Sequence, residues 1–137
     1  MRKIDVMNEF NKPENRAKWN DQARIYLEDK GKLRKLVNEA MKKTEHKDSG
    51  PINYSGEKLQ LLLHLAKDYA QDIYLEAPGD AMLLIVMWLA YFVSPEDLIA
   101  DDLPSGLGLE DDAAILEYVI KQVVDDLEAY KDWKRQQ

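Results

Sequence analysis

The sequence predicts an all-α protein, a single-domain bundle of about five helices around a central apolar helix at residues 81–93. Three observations carry this. Apolar residues recur at helical spacing in four separate stretches. The run from Ala81 to Val93 is apolar on every side, as a fully buried helix requires. No stretch shows the alternation bounded by hairpin turns that marks strands. A chain of 137 residues, 45% hydrophobic and 33% charged, can bury a real core.

Residues 1–12 have no periodic apolar pattern and read as a loose leader, leaving 13–137 as the helical domain. Pro13 suits a first helical position. Trp19, Ala23, Tyr26 and Leu27 then share a face, and Gly31 interrupts. Leu33, Leu36, Val37, Ala40 and Met41 mark the second helix. Lys47-Asp48-Ser49-Gly50-Pro51 reads as a loop. A third helix from about Gly56 shows one face through Leu59, Leu62, Leu63, Ala66, Ala70 and Ile73 before Pro78-Gly79 breaks it. Asp80 can cap the fourth helix, which ends at Ser94-Pro95, where a short helical turn begins. Pro104 to Gly108 form a turn. The last helix runs from about Leu109 to about Trp133, with Leu116, Val119, Ile120, Val123, Leu127 and Tyr130 facing inward.

The fourth helix is too short for a bilayer. Its thirteen apolar residues span roughly 20 Å against a hydrocarbon core of about 30 Å. Acids flank it and no basic residue marks a cytoplasmic side. The start, Met1-Arg2-Lys3-Ile4-Asp5, is not that of a secretory signal peptide. The expectation is a soluble cytoplasmic protein.

The net charge is −7, and it is unevenly distributed. Residues 1–67 hold fifteen Lys/Arg against ten Asp/Glu, whereas residues 68–120 hold twelve acids and no base. An acidic middle repels phosphate backbones, and the N-terminal bases are interleaved with acids, so no nucleic-acid partner is expected. The absence of Cys excludes disulfides, thiolate metal sites and Cys nucleophiles.

The densest charge lies between Ser94 and Asp112, where seven carboxylates fall in under twenty residues directly after the most apolar run. Like charges beside an apolar helix need protons, hydrogen bonds or a cation. The simplest reading is capping. Asp97 stands three residues after Ser94, and Glu110, Asp111 and Asp112 meet the positive end of the last helix. A second reading makes Asp97, Asp101, Asp111 and Asp112 ligands of Mg²⁺ or Ca²⁺, which prefer oxygen donors. It predicts that millimolar Mg²⁺, Ca²⁺ or Mn²⁺ raises the melting temperature and that Asp112→Asn removes the effect. No shift would end that reading. The spacing is not that of an EF-hand, and His46 and His64 lie too far away for a zinc site. A third reading, Asp97 and Asp112 as an acid–base pair, lacks a nucleophile, an oxyanion donor and a phosphate loop.

The motif Tyr91-Phe92-Val93-Ser94-Pro95-Glu96-Asp97-Leu98-Ile99-Ala100-Asp101, then Pro104, then Gly108-Leu109-Glu110-Asp111-Asp112, resembles the signature of the YkvA-type domain of unknown function. That signature is approximately Y-x-x-S-P-x-D-L-I-P-D, a proline, and G-x-x-D-D. The resemblance is centred on residues 80 to about 120. Upstream, Trp19, Ala23, Leu33 and the helix near Leu59 are similar to the N-terminal region of full-length members. The chain departs from the pattern at Ala100, where proline is usual, and adds Asp102. The resemblance implies no settled activity. Some members are described as membrane-associated, so a peripheral membrane protein is a further alternative, which the acidic middle disfavours for anionic lipid.

Elsewhere, His64 reads as a core or boundary histidine, and Met82, Met87 and Trp88 as core filling. Trp19 and Trp133 are expected to pack on each other, the alternative being to anchor a partner. Lys32, Arg34, Lys35, Lys42 and Lys43 form a solvated face on the second helix, or a dock for an acidic partner or for the acidic middle of a second copy. With no catalytic motif present, the expected function is a non-enzymatic protein-interaction or regulatory module, in which case a homo-oligomer is possible.

Overall fold

The fold is seen in a computed structural model that describes residues 12–45, 56–93 and 109–137, with the side chains of 15, 45 and 109–114 excepted. It is all-α. The described residues form α1 (Pro13–Glu28), α2 (Lys30–Glu45), α3 (Glu57–Ala70), α4 (Gly79–Val93) and α5 (Leu109–Arg135). The expected leader to residue 11, the loop at 47–51, the turn after Ser94 and the Pro104–Gly108 turn lie outside the described residues. No described helix is long and apolar enough to cross a membrane.

The apolar helix is central, as its composition predicts. α4 packs against all four other helices. Ala81, Met82 and every residue from Ile85 to Phe92 are buried in it. Trp88 is fully enclosed and stacks on Phe92 at 4.8 Å between ring centroids. Around α4 the apolar faces of the amphipathic helices close. α1 contributes Trp19 and Ala23, α2 Leu33, Leu36, Val37 and Ala40, and α5 Leu116, Val119, Val123, Leu127 and Tyr130. Both outer tryptophans pack, but on neighbours and not on each other. Trp19 lies 6.0 Å from the Tyr91 ring, and Trp133 lies 4.9 Å from that of Tyr74. Arg16 reaches the Tyr118 hydroxyl at 3.5 Å and so links α1 to α5.

α1 begins at Pro13 as expected, but the break after it falls at Asp29 and not at Gly31. The Asp29 backbone is extended, and its carboxylate accepts the N–H groups of Gly31 at 3.0 Å and Lys32 at 3.2 Å. It thus caps α2 by satisfying two otherwise orphaned donors. Gly31 lies inside the first turn it was expected to break.

α3 ends earlier than the apolar spacing implies, and Ile73 is not on its buried face. Asp72 adopts a left-handed conformation with φ 61. Its N–H returns to the Tyr69 carbonyl at 3.1 Å and that of Ile73 to Asp68 at 2.8 Å. These two bonds form a Schellman turn, with Asp72 where glycine usually stands. The turn throws Ile73 outward, 53% exposed, and brings Tyr74 inward to pack edge-on against Tyr130 at 5.0 Å. Asp80 lies within the first turn of α4 and not before it, and its carboxylate accepts the Ala81 N–H at 2.9 Å, while the Pro78 carbonyl accepts that of Met82 at 3.0 Å.

The basic run on α2 is only partly a solvated face. The Lys30 ammonium donates to the Tyr69 carbonyl at 2.9 Å, and Arg34 donates to that of Ala70 at 3.0 Å. Both close the C-terminal end of α3, where unpaired carbonyls and the helix dipole favour cations. Lys43 donates likewise to the Phe92 carbonyl near the end of α4 and lies over the Phe92 ring. Lys32, Lys35 and Lys42 are exposed. Arg34→Met keeps the aliphatic stem and removes the bond. It is expected to lower stability by about 1 kcal/mol in thermal unfolding, whereas Lys42→Met should stay within about 0.5 kcal/mol.

Candidate functional site

The expected cation ligands are not brought together by anything described. Asp97 and Asp101 lie outside the described residues, as does Asp102. Asp111 and Asp112 fall in the first turn of α5, as the capping reading requires of their sequence positions, but their side chains are also outside the described set. His46 lies outside it too. His64 is on the exposed side of α3, where the surrounding protein holds its pKa below the usual value through partial desolvation, opposed by the nearby Asp68 carboxylate. Among the described residues no group of three His, Asp or Glu side chains is placed to hold a metal ion.

Two surface features carry chemistry instead. The first is a groove of about 360 Å³ where α1 and α2 meet the end of α4. Its apolar part comes from Ile25 and Tyr26 of α1, Leu36 of α2 and Val93 of α4. Lys32 and Lys35 stand on its rim, with Gln22 and a single acid, Glu39. The groove arises from register on α2. Leu36 belongs to the buried apolar face of α2, and the exposed Lys32 and Lys35 precede it by one turn and by one residue. Ile25 is 45% exposed at the groove, an apolar group that nothing described covers.

The second feature is the turn between α3 and α4. Ile73 is 53% and Leu75 55% exposed, on either side of the buried Tyr74. Acids surround them. Asp72, Glu76 and Asp80 are exposed, and Asp125 and Asp126 of α5 approach the same region. Partial burial, together with Asp80 and Asp125, raises the pKa of the Asp126 carboxyl above the usual carboxylate range. Tyr74 beneath the turn is raised chiefly by burial and then by Glu76 and Asp126. Lys30 is the cation here, paired with Asp72 at 2.9 Å.

A buried polar centre was missed by the sequence reading. Asp68 is 7% exposed, and its carboxylate accepts the Tyr130 hydroxyl at 2.5 Å and the Lys134 ammonium at 3.2 Å. The Asp68 carbonyl also receives the Schellman turn, so one residue ties the end of α3 to the end of α5. A sequence signal existed. Asp68 follows Leu65 by three residues and Leu61 by seven, which places an acid on an apolar stripe, and Tyr130 and Lys134 stand one turn apart on α5. What the spacing does not reveal is that these two stripes face one another. The centre joins α3 to α5 through two protein partners and is best read as a structural tie between helices.

Comparison with known proteins adds one finding. Residues 81–118, from the first turn of α4 into α5, match the model of a family described as a protein of unknown function, DUF1232. The stretch that carries the acidic motif from Tyr91 to Asp112 falls inside this match. No curated protein and no solved structure matches the chain. The chain is thus similar, over little more than a quarter of its length, to a family without an assigned activity.

Proposed function

We propose that this chain is a non-enzymatic, YkvA-like interaction module of the cytoplasm, which docks an acidic, partly apolar protein segment in the groove between α1 and α2. The observation that carries the reading is the exposed Ile25 beside Lys32 and Lys35. An apolar anchor point with a cationic rim suits a partner whose aliphatic side chains enter the groove and whose carboxylates meet the lysines. The bonds made by Lys30 and Arg34 fix α2, one wall of the groove, to the end of α3.

A photoreactive residue at position 25 tests this in cells. Cross-linked adducts are expected from position 25 and not from the exposed position 121 of α5, and Lys32→Glu with Lys35→Glu should remove them. Equal labelling at both positions, or adducts indifferent to the charge reversal, would overturn the reading.

A further inference from the structure

The turn bearing Ile73 and Leu75 has the chemistry that the α1–α2 groove calls for. Both residues are more than half exposed, on either side of the inward-turned Tyr74, and with Ile25 of the groove they are the large hydrophobics left exposed among the described residues. The acids around the pair, Asp72, Glu76 and Asp80, are all exposed. The groove offers the complement: Ile25 and Leu36 within, Lys32 and Lys35 on the rim. One surface is acidic around an apolar projection, and the other is basic around an apolar hollow.

Within one chain the turn is held at the start of α2, where Lys30 pairs with Asp72 at 2.9 Å and Arg34 donates to the Ala70 carbonyl at 3.0 Å. Ile73, Leu75 and Ile25 nevertheless stay exposed, so the two apolar patches do not cover one another. We infer that the acidic turn between α3 and α4 of one copy seats in the α1–α2 groove of a second copy, with Ile73 and Leu75 entering the apolar hollow and Glu76 and Asp80 facing Lys32 and Lys35. This inference rests on reading the groove as a docking site, and names a second copy of the chain as the occupant. Because the two patches differ, the contact is heterologous. It closes only when the second copy returns the same contact, and otherwise adds further copies. High salt weakens it, since its charges are at the surface.

Sedimentation velocity with two double variants tests it. Ile73→Asp with Leu75→Asp removes the projection and leaves the groove. Lys32→Glu with Lys35→Glu reverses the rim and leaves the projection. All four residues are exposed, so both variants are expected to fold, which circular dichroism verifies. The wild type is expected to self-associate with rising concentration and each variant to remain a single chain. An equimolar mixture of the two should form pairs, because one intact groove meets one intact projection. A wild type that stays monomeric at every concentration, a variant that still self-associates, or a mixture that fails to pair overturns the inference. Adducts at position 25 with a different protein, lost on charge reversal, would leave the docking groove in place while the second copy was excluded.

Discussion

Replacing Trp88 with Ala is expected to destabilise the protein by about 3–5 kcal/mol, the range for deleting a large buried aromatic. The indole is fully enclosed in α4, stacked on Phe92 with its ring 12° from parallel. Because α4 touches each other helix, the void opens at the centre of the bundle, where no single helix can move inward to fill it. Against the roughly 5–15 kcal/mol that typically holds a domain together, this is about a fifth of the total or more. Urea unfolding should show a lower midpoint with an unchanged slope if the native fold persists. Trp133→Ala is the comparison. Trp133 is only partly buried, at the end of α5, and its loss should cost markedly less. Equal costs for the two would mean that α4 is not the centre of the core.

The second large effect is expected at the tie between α3 and α5. Tyr130→Phe removes the hydroxyl that donates to the buried Asp68 carboxylate, and Asp68→Ala leaves that hydroxyl without its acceptor. Hydrogen bonds to a charged group contribute about 1.5–3 kcal/mol, and each single change should cost at least that. The two should not add. A double-mutant cycle is expected to return a coupling energy of about 1.5–3 kcal/mol, since both changes break the same bond. Lys134 also pairs with Asp68, but its side chain is 57% exposed. Lys134→Ala should therefore cost under about 1 kcal/mol. An additive cycle would show that the Asp68–Tyr130 bond does not exist in solution.

The same pair makes stability fall in alkali. Burial first, and then the hydrogen bond to Asp68, raises the Tyr130 pKa far above its ordinary value of 10.0. Above about pH 10 the unfolded chain releases this proton while the folded chain keeps it. The unfolded state then binds fewer protons, so stability declines as pH rises through that range. Tyr74 is shifted in the same direction, chiefly by burial. Urea midpoints measured upward from pH 8 should drop past pH 10, and Tyr130→Phe should flatten that drop.

How much was legible depended on the range of the interaction involved. The central helix could be read because thirteen consecutive apolar residues have only one low-energy location in a protein that buries them. The start of α1 at Pro13 and the course of α5 were local matters and were read correctly. The end of α3 was not. Ile73 continues the helical spacing, and no glycine announces the Schellman turn, because Asp72 takes the left-handed position. The break before α2 was placed on Gly31 because glycine is the stronger general punctuation, although Asp29 was the better cap. The acidic stretch from Asp97 to Asp112 was the most conspicuous feature of the sequence, yet the surfaces on which the proposals rest lie elsewhere.

Local spacing settled that this protein is a helical bundle, that residues 81–93 occupy its interior, and that its charge is divided between a basic first half and an acidic middle. Those properties follow from side-chain periodicity and composition, which act along the chain. Only the assembled bundle decided which cations are spent on helix ends and which face solvent. Lys30, Arg34 and Lys43 are drawn to carbonyls at the ends of α3 and α4, while Lys32 and Lys35, one register away on α2, stay at the rim of a groove. The physical reason is that unpaired carbonyls and opposing apolar stripes attract partners through space, and the identity of those partners depends on which helices come to lie side by side.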